Sequence, residues 1–203
     1  MKDILLNPLL LPIWVPFAAG LLCRLLPRAL DKVSSYISLL ASAGLIGLAW
    51  PLFRSGSGSG EYGAWFSLSN DNLSGFMLLA VAVFGFLIAM YSLYYMKGRE
   101  RLAAYNTYIL WTLAAASCTL LANDLILLLI GWGFLGFTLY MLIGLNGPEA
   151  SAAAKKSFII VGGADALLVL GAAILWQVNG STRLDLPALA FTKPSIYAAF
   201  LEL

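Results

Sequence analysis

The segment that decides the fold is residues 123–177, which read NDLILLLIGWGFLGFTLYMLIGLNGPEASAAAKKSFIIVGGADALLVLGAAILWQ. Two long apolar runs are joined by a short loop, which is predicted to end at Lys155 and Lys156. Each run has about the 20 residues that an α-helix needs to cross a bilayer. Asp165 lies near the middle of the second run, and a carboxylate at that depth in lipid costs about 2.5–3.5 kcal/mol or more. Such a residue therefore requires a functional or a structural reason.

The composition of the whole chain is typical of an integral membrane protein. Of its 203 residues, 61% are hydrophobic and 11% are charged, whereas a soluble domain has about 25% charged residues. The net charge of +2 is too small to indicate a nucleic-acid partner. The chain has no histidine, and its two cysteines, Cys23 and Cys118, are isolated within apolar runs. We therefore expect no metal site and no cofactor bound by this chain.

Six apolar runs predict an all-α integral membrane protein with six transmembrane helices. The predicted helices are roughly residues 4–26, 33–53, 73–96, 103–122, 125–145 and 158–177. We expect residues 1–177 to form this transmembrane region, and residues 178–203 to form a polar loop followed by a short amphipathic segment. Between the second and third helices, the sequence SGSGSG at residues 55–60 predicts a flexible linker.

The distribution of Lys and Arg predicts the orientation in the membrane. Eight of the 12 basic residues follow the first, third and fifth helices: Arg24, Arg28, Lys32, Lys97, Arg99, Arg101, Lys155 and Lys156. The other four lie on the opposite side: Lys2, Arg54, Arg183 and Lys193. Because cytoplasmic loops carry the excess of Lys and Arg, we expect the N-terminus to lie outside the cell membrane.

Asp165 is the first candidate functional residue, as a proton- or cation-relay carboxylate. Acidic residues inside membrane helices usually mark ion pathways. The alternative is a structural Asp that hydrogen-bonds a neighbouring helix. No other charged residue of the chain is predicted to lie at a comparable depth. A charged partner for Asp165, where there is one, would therefore come from another polypeptide.

Four further charged residues are weaker candidates. Lys155 and Lys156 would form the cytoplasmic entrance of the relay, handing protons to Asp165 through water; alternatively, they anchor the helix at the membrane surface. Asp71 and Asp124 lie at span ends on the outer side and are possible polar sites there. Their alternative role is to cap the helices that they precede.

Glycines are frequent in the fifth and sixth predicted helices, and they predict close packing between helices. In the fifth helix they are Gly131, Gly133 and Gly136, and in the sixth they are Gly162, Gly163 and Gly171.

Several short motifs in a fixed order resemble a known family. They are SNDNLSGFMLL at residues 69–79, YSLYYM at 91–96, LANDL at 121–125, GW at 131–132, YMLIG at 140–144 and AAKKSF at 153–158. The pattern is similar to that of the antiporter-like membrane subunits of respiratory complex I, of membrane-bound hydrogenases and of multisubunit sodium/proton antiporters. The resemblance covers most of residues 65–176.

The resemblance implies a fold of about fourteen helices with two inverted repeats, of which this chain would hold the N-terminal six-helix portion. It also implies proton translocation through buried charged residues, coupled to redox chemistry in partner subunits. Asp165 matches the family's sixth-helix Asp. The family has a glutamate directly after the Trp of helix five, where this chain has Gly133, and the lysine of the family's seventh helix has no counterpart here.

We therefore interpret the chain as a membrane subunit of a multisubunit proton- or cation-translocating complex that contributes part of an ion pathway. The complex would be a respiratory or hydrogenase-type oxidoreductase, or a multisubunit antiporter. We expect no catalytic redox site in this chain; redox cofactors would lie in partner subunits. Expected partners are lipids and other membrane subunits, including a polypeptide that completes the antiporter-like fold, in the inner membrane of a bacterium or archaeon.

Two other interpretations stay open at the level of sequence. The first is a non-conducting structural or assembly subunit that packs against a neighbouring pump, and Gly133 in place of the family glutamate favours it. The second is a small free-standing transporter, which the single buried charge disfavours.

Overall fold

The computed structural model of the chain describes residues 7–27, 31–56, 58–61, 67–96, 101–145 and 147–184. Within these residues there are six α-helices and one pair of short strands. The helices are α1 (Leu11–Leu25), α2 (Asp31–Ser55), α3 (Asn72–Tyr95), α4 (Leu102–Leu121), α5 (Leu125–Gly144) and α6 (Pro148–Asn179). The strands are β1 (Gly58–Glu61) and β2 (Ser67–Asn70), which lie between α2 and α3. The prediction of an all-α membrane fold with six helices is confirmed.

The ends of α2, α3, α4 and α5 agree with the sequence-based prediction to within two residues. The N-terminal boundary of α6 differs, because this helix begins at Pro148 rather than near residue 158. The loop before α6 ends at Gly147, whose positive φ of 99° favours glycine. Pro148 suits the first helical turn, and the alanine-rich run after it has high helix propensity. Lys155 and Lys156 therefore lie inside α6 and not in the preceding loop.

The predicted flexible linker is wrong in part, because residues 58–60 belong to a β-hairpin. Ser55 is the last residue of α2, and Gly56 follows it with a φ of +68°. Strand β1 then pairs antiparallel with β2 in a register that places Gly58 opposite Asn70. A run of Gly and Ser carries no strand signal of its own. Pairing with β2 supplies the backbone hydrogen bonds that the composition could not predict.

Helix α4 occupies the centre of the bundle and packs against α1, α2, α3 and α5. Within the described residues, four helices are long and apolar enough to cross a membrane: α2, α3, α5 and α6. Helix α1 is apolar but has only 15 residues. Helix α6 packs chiefly against α5, and the apolar window that qualifies it as a span has no buried residue.

Polar side chains on the central helix bond to its neighbours, so a helix that carries them can lie at the centre of the bundle. The Asn106 Nδ2 group donates to Ser34 Oγ at 2.9 Å and to Ser35 Oγ at 3.1 Å, linking α4 to α2. On the other side of α4, Thr112 Oγ1 donates to Thr138 Oγ1 of α5 at 3.0 Å. In a membrane, buried polar groups must be satisfied inside the protein.

The remaining fold prediction concerns residues 178–203. Helix α6 extends to Asn179, two residues beyond the predicted transmembrane region. Gly180, with a φ of +68°, ends the helix by donating its N–H to the Trp176 carbonyl at 2.8 Å. The short amphipathic segment predicted at the end of residues 178–203 lies outside the described residues.

We expect Asn106→Ala to lower the free energy of unfolding by about 1–2 kcal/mol, because it removes two interhelical hydrogen bonds from a buried site. The measurement is unfolding of the purified protein in detergent micelles, followed by circular dichroism. Asn72→Ala is the matched control, since Asn72 is exposed at the start of α3; it should change stability by less than about 0.5 kcal/mol. Equal effects of the two substitutions would contradict the assignment.

Candidate ion-relay site

The side chain of Asp165 contacts helix α5 at the level of Trp132. The indole Nε1 of Trp132 donates a hydrogen bond of 2.9 Å to Asp165 Oδ1. Asp165 is the eighteenth of the 32 residues of α6, so it lies about 26 Å along the helix from Pro148. The pair therefore lies near the middle of the longest helix, and the Asp165 side chain is only partly buried.

Helices α5 and α6 approach each other closely at this point. A Cβ atom placed on Gly136 would lie 3.8 Å from Asp165 Oδ2 and 3.7 Å from Val161 Cγ1. Trp132 and Gly136 are one turn apart on α5, and Val161 and Asp165 are one turn apart on α6. Two consecutive turns of each helix therefore form the site, with Oδ1 against Trp132 and Oδ2 towards Gly136.

The bond between Trp132 and Asp165 satisfies two polar groups that an apolar environment would otherwise leave unpaired. An indole N–H can only donate, and a carboxylate can only accept. Hydrogen bonds to a charged group are about twice as strong as those between neutral groups, although interhelical bonds in membranes average only about 0.6 kcal/mol net. The geometry gives α6 a defined orientation on α5, whatever its contribution to stability.

The structure does not bring Lys155 or Lys156 to Asp165. Both lysines are exposed and precede Asp165 on the same helix by ten and nine residues, which correspond to rises of about 15 Å and 13 Å. At about 100° per residue, Lys156 projects from the face of α6 opposite Asp165, and Lys155 lies about 80° away from it. Direct hydrogen bonding is excluded, and the predicted relay role of the lysines would require intervening water.

The prediction of close packing at the glycines is confirmed for only part of the set. A Cβ atom on Gly131 would lie 2.5 Å from Thr119 Oγ1, so Gly131 allows α5 to approach α4. At Gly136 the contact between helices is looser, because a Cβ atom there would lie at the ordinary contact distances given above. The other four glycines of the predicted set would place a Cβ in open space, with nothing within 4 Å: Gly133, Gly162, Gly163 and Gly171. For these four, the described residues contain no packing partner.

Asp71 and Asp124 both cap helices. This is the alternative role that the sequence offered for them besides a polar site on the outer side. The side chain of Asp71 is exposed and accepts hydrogen bonds from Ser74 N and Ser74 Oγ at the start of α3. These two bonds, the one from the hydroxyl first, hold the pKa of Asp71 below its ordinary value of 3.8. Asp124 accepts from Ile126 N at 2.8 Å at the start of α5.

Asp124 has a second structural role at the end of the bundle where α4 turns into α5. It is 1% exposed, and its Oδ2 accepts a bond of 2.6 Å from Thr182 Oγ1, in the segment that follows α6. Next to it, Leu125 N donates to the Thr182 carbonyl at 2.8 Å, and Asn123 N donates to the Ser67 carbonyl at 2.9 Å. The turn between α4 and α5 is thereby tied to strand β2 on one side and to the end of α6 on the other.

Trp132 is the residue of this site that the sequence did not assign, because the GWG segment indicates a small-residue packing face. A Trp near the middle of an apolar span nevertheless carries an N–H that needs an acceptor. In the sequence, the carboxylate of Asp165 in the next span is an acceptor that could pair with this N–H. Neither residue indicates which turn of α5 meets which turn of α6, so the pairing itself required the structure.

Metal binding has no support in the part of the chain that the structure describes. There, no group of three or more His, Cys, Asp or Glu side chains could hold a metal ion. Cys23 and Cys118 are free thiols, and the Sγ atom of Cys23 contacts the Ser34 carbonyl at 3.5 Å. The expectation that redox cofactors lie in partner subunits stays a prediction.

Two family models match the chain in successive segments. The model for the NADH-ubiquinone oxidoreductase (complex I) chain 5 N-terminus matches residues 58–106. The model for the transmembrane region of NADH:quinone oxidoreductase and Mrp antiporters matches residues 122–202. Together the two segments include α3, α5 and α6, and the second segment contains both helices that form the site.

Individual relatives agree with the family models. NADH-quinone oxidoreductase subunit L of Escherichia coli (strain K12) is 35% identical over 124 residues, which are 60% of this chain and 20% of that protein. The probable inorganic carbon transporter subunit DabB1 of Halothiobacillus neapolitanus (strain ATCC 23641 / c2) is 36% identical over 129 residues, which are 62% of this chain and 22% of that protein. The chain thus spans about a fifth of the length of these relatives.

The fold has a counterpart among solved structures. A chain of the Mrp complex from Dietzia sp. DQ12-45-1b superposes with a TM-score of 0.81 at 21% identity, over 94% of this chain and 22% of that chain. The six helices and the site on α5 and α6 define an integral membrane protein with part of an antiporter-like fold. The chain belongs to the antiporter-like membrane subunit family, of which it matches the N-terminal six-helix portion. It is a membrane protein, and its bacterial relatives point to the inner membrane.

We expect Asp124→Ala to lower the free energy of unfolding by about 2 kcal/mol or more, because it removes a helix cap and leaves the Thr182 hydroxyl without its acceptor. Asp71→Ala is the matched comparison: it removes an exposed cap only, at a cost of about 1 kcal/mol. Both values come from unfolding of the purified chain in detergent. Equal losses would show that the bond to Thr182 adds nothing.

The lowered pKa of Asp71 predicts a pH dependence with a defined sign. Because its folded-state pKa lies below the ordinary value of 3.8, the ionised carboxylate stabilises the fold at pH values above that value. This contribution is lost as the pH falls through the lowered pKa. The difference in unfolding midpoint between the unsubstituted chain and Asp71→Asn should be constant from pH 7 to 5 and should shrink below about pH 4. A difference that grows on acidification would contradict the assigned bonds.

Proposed function

We propose that the chain is a membrane subunit of a multisubunit proton- or cation-translocating complex, and that Asp165 forms part of the ion pathway. The observation that carries the proposal is the position of Asp165. Its carboxyl group lies near the middle of α6, is only partly buried and is held by one indole N–H. Keeping a carboxyl group at this depth is costly, and the Trp132 bond involves only one of its two oxygens.

The relatives support the class of the proposed complex without selecting its chemistry. By name, the E. coli relative is an oxidoreductase subunit, the H. neapolitanus relative is a probable inorganic carbon transporter subunit, and the Dietzia chain is part of an Mrp complex. All three are components of larger assemblies. We extend this to the present chain, whose partners would be other membrane subunits. One of them would be a polypeptide that completes the antiporter-like fold. Any redox cofactors of the complex would be bound by partner subunits.

A non-conducting structural subunit is the second candidate, and the bond between Trp132 and Asp165 is the observation that favours it. A carboxylate whose described polar partner is an indole on the adjacent helix can serve to orient α6. Gly133, in place of the family glutamate, adds no acidic group at this level of α5, and its Cβ position faces open space. The two candidates differ in whether removal of the Asp165 charge stops ion flux.

We expect Asp165→Asn to lower ion flux at least tenfold, because asparagine cannot take up a proton or hold a cation by charge. The complex that contains the chain would be purified from its native membrane, reconstituted in liposomes and assayed with a pH- or sodium-sensitive dye. Glu149→Gln is the matched control: it makes the same change of charge at an exposed position in the first turn of α6.

The outcomes separate the two candidates. Loss of flux with an intact complex supports the relay, whereas normal flux in Asp165→Asn leaves only the structural role. Should Asp165→Asn fail to assemble, Asp165→Glu decides, because it keeps the charge and shifts the carboxyl group by one methylene. Restored assembly with lowered flux in Asp165→Glu supports a relay, because the rate of a relay depends on the position of its carboxyl group. Restored assembly with normal flux in that variant argues against it.

A further inference from the structure

We infer that Trp132 is the positioning residue of the Asp165 carboxyl group: it holds Oδ1 against α5 and leaves Oδ2 as the atom that binds the transported proton or cation. The bond of 2.9 Å between Trp132 Nε1 and Asp165 Oδ1 is the central observation. The inference rests on the proposed function in that it takes Asp165 to be a relay residue. It adds that Oδ2 is the oxygen that binds the ion and that Trp132 determines this choice.

The chemistry of the indole suits a fixed support better than that of other polar side chains. Its N–H donates a hydrogen bond and accepts none. A carboxyl oxygen can accept that bond whether or not the other oxygen carries a proton. The bond to Oδ1 can therefore persist while a proton or cation arrives at Oδ2 and leaves it.

Without the indole, nothing in the described site would distinguish the two carboxyl oxygens. The terminal torsion of an Asp side chain is broad and roughly two-fold, so the oxygens exchange places readily. A donor at one position removes this freedom. Pre-organised groups lose less when they bind, and a misplacement of about 1 Å can cost about 10²-fold in rate. Trp132 thus supplies an orientation that Asp165 does not have by itself.

The surroundings of Oδ2 differ from those of Oδ1 in a way that fits this division. Oδ2 faces the position of a Cβ on Gly136 at 3.8 Å, an ordinary contact distance, so α5 reaches but does not cover it. One turn earlier on the same face of α6, Gly162 has nothing within 4 Å of its Cβ position. Because Gly136 has no side chain, α5 lies beside Oδ2 without covering it, and the neighbouring face of α6 at Gly162 is open.

The first test is Trp132→Phe in the reconstituted complex, a change that removes the N–H and keeps an aromatic ring. We expect ion flux to fall about tenfold or more. We also expect the carboxyl band of Asp165, identified in infrared difference spectra by its absence in Asp165→Asn, to shift and broaden. Trp176→Phe is the matched control, since Trp176 is exposed near the end of the same helix pair and its side chain has no assigned role.

A second variant tests the assignment of Oδ2 independently. Gly136→Leu would project a side chain towards Oδ2 and leave the Trp132 bond to Oδ1 in place. We expect flux to fall while the infrared shift seen in Trp132→Phe is absent. Gly133→Leu, at a position where the Cβ faces open space, is its control and should retain flux. This pair also decides the inference if Trp132→Phe does not assemble.

The outcomes distinguish this inference from the proposed function. An unchanged Asp165 band and unchanged flux in Trp132→Phe overturn the positioning role, and normal flux in Gly136→Leu overturns the assignment of Oδ2. A shifted band with normal flux in Trp132→Phe shows that the bond exists without supporting transport, and also overturns the inference. Normal flux in Asp165→Asn refutes the proposed function instead, whatever the infrared spectra show about the bond.

Discussion

Satisfaction of polar groups within the membrane is the constraint on which this fold depends, because lipid offers them no hydrogen-bond partners. The central helix α4 meets the constraint through its neighbours: Asn106 bonds to Ser34 and Ser35 of α2, and Thr112 bonds to Thr138 of α5. These bonds can form only if α4 is surrounded. Helix α4, which carries these polar side chains, therefore lies at the centre of the bundle, with α1, α2, α3 and α5 packed around it.

At the end of the bundle where α4 turns into α5, the same constraint is met by backbone pairing. The α4–α5 turn cannot continue either helix, and its groups pair with β2 through Ser67 and with the segment after α6 through Thr182. Asp124 lies at the middle of this junction, where one carboxylate caps α5 and binds the Thr182 hydroxyl. The Asp124 carboxylate is thus used by the fold, and these bonds explain how it can be 1% exposed.

The sequence predicted the helices well because apolar length is a direct consequence of bilayer thickness. It missed the start of α6 because Lys155 and Lys156 end the apolar run, whereas helix propensity extends the helix back to Pro148. It missed β1 because Gly and Ser form a strand only when another strand is available. Asp165 was evident as a charge in an apolar run. Its partner was not, because hydropathy gives the face of each helix but not the register between two helices.

The bond between Trp132 and Asp165 fixes the register between α5 and α6. In the described structure α6 packs chiefly on α5, and apolar side chains alone fit many rotations and shifts at similar energy. A rotation of α6 by one residue, about 100°, would separate the indole from the carboxylate and leave both unpaired in an apolar environment, at a cost of about 1–3 kcal/mol for each group. One polar pair can therefore select a single arrangement even if its net contribution to stability is small. With Asp165 facing α5, Lys156 points away from α5, because the helix repeat places it on the opposite face of α6. An ion path therefore cannot run from that lysine to Asp165 along one face of the helix.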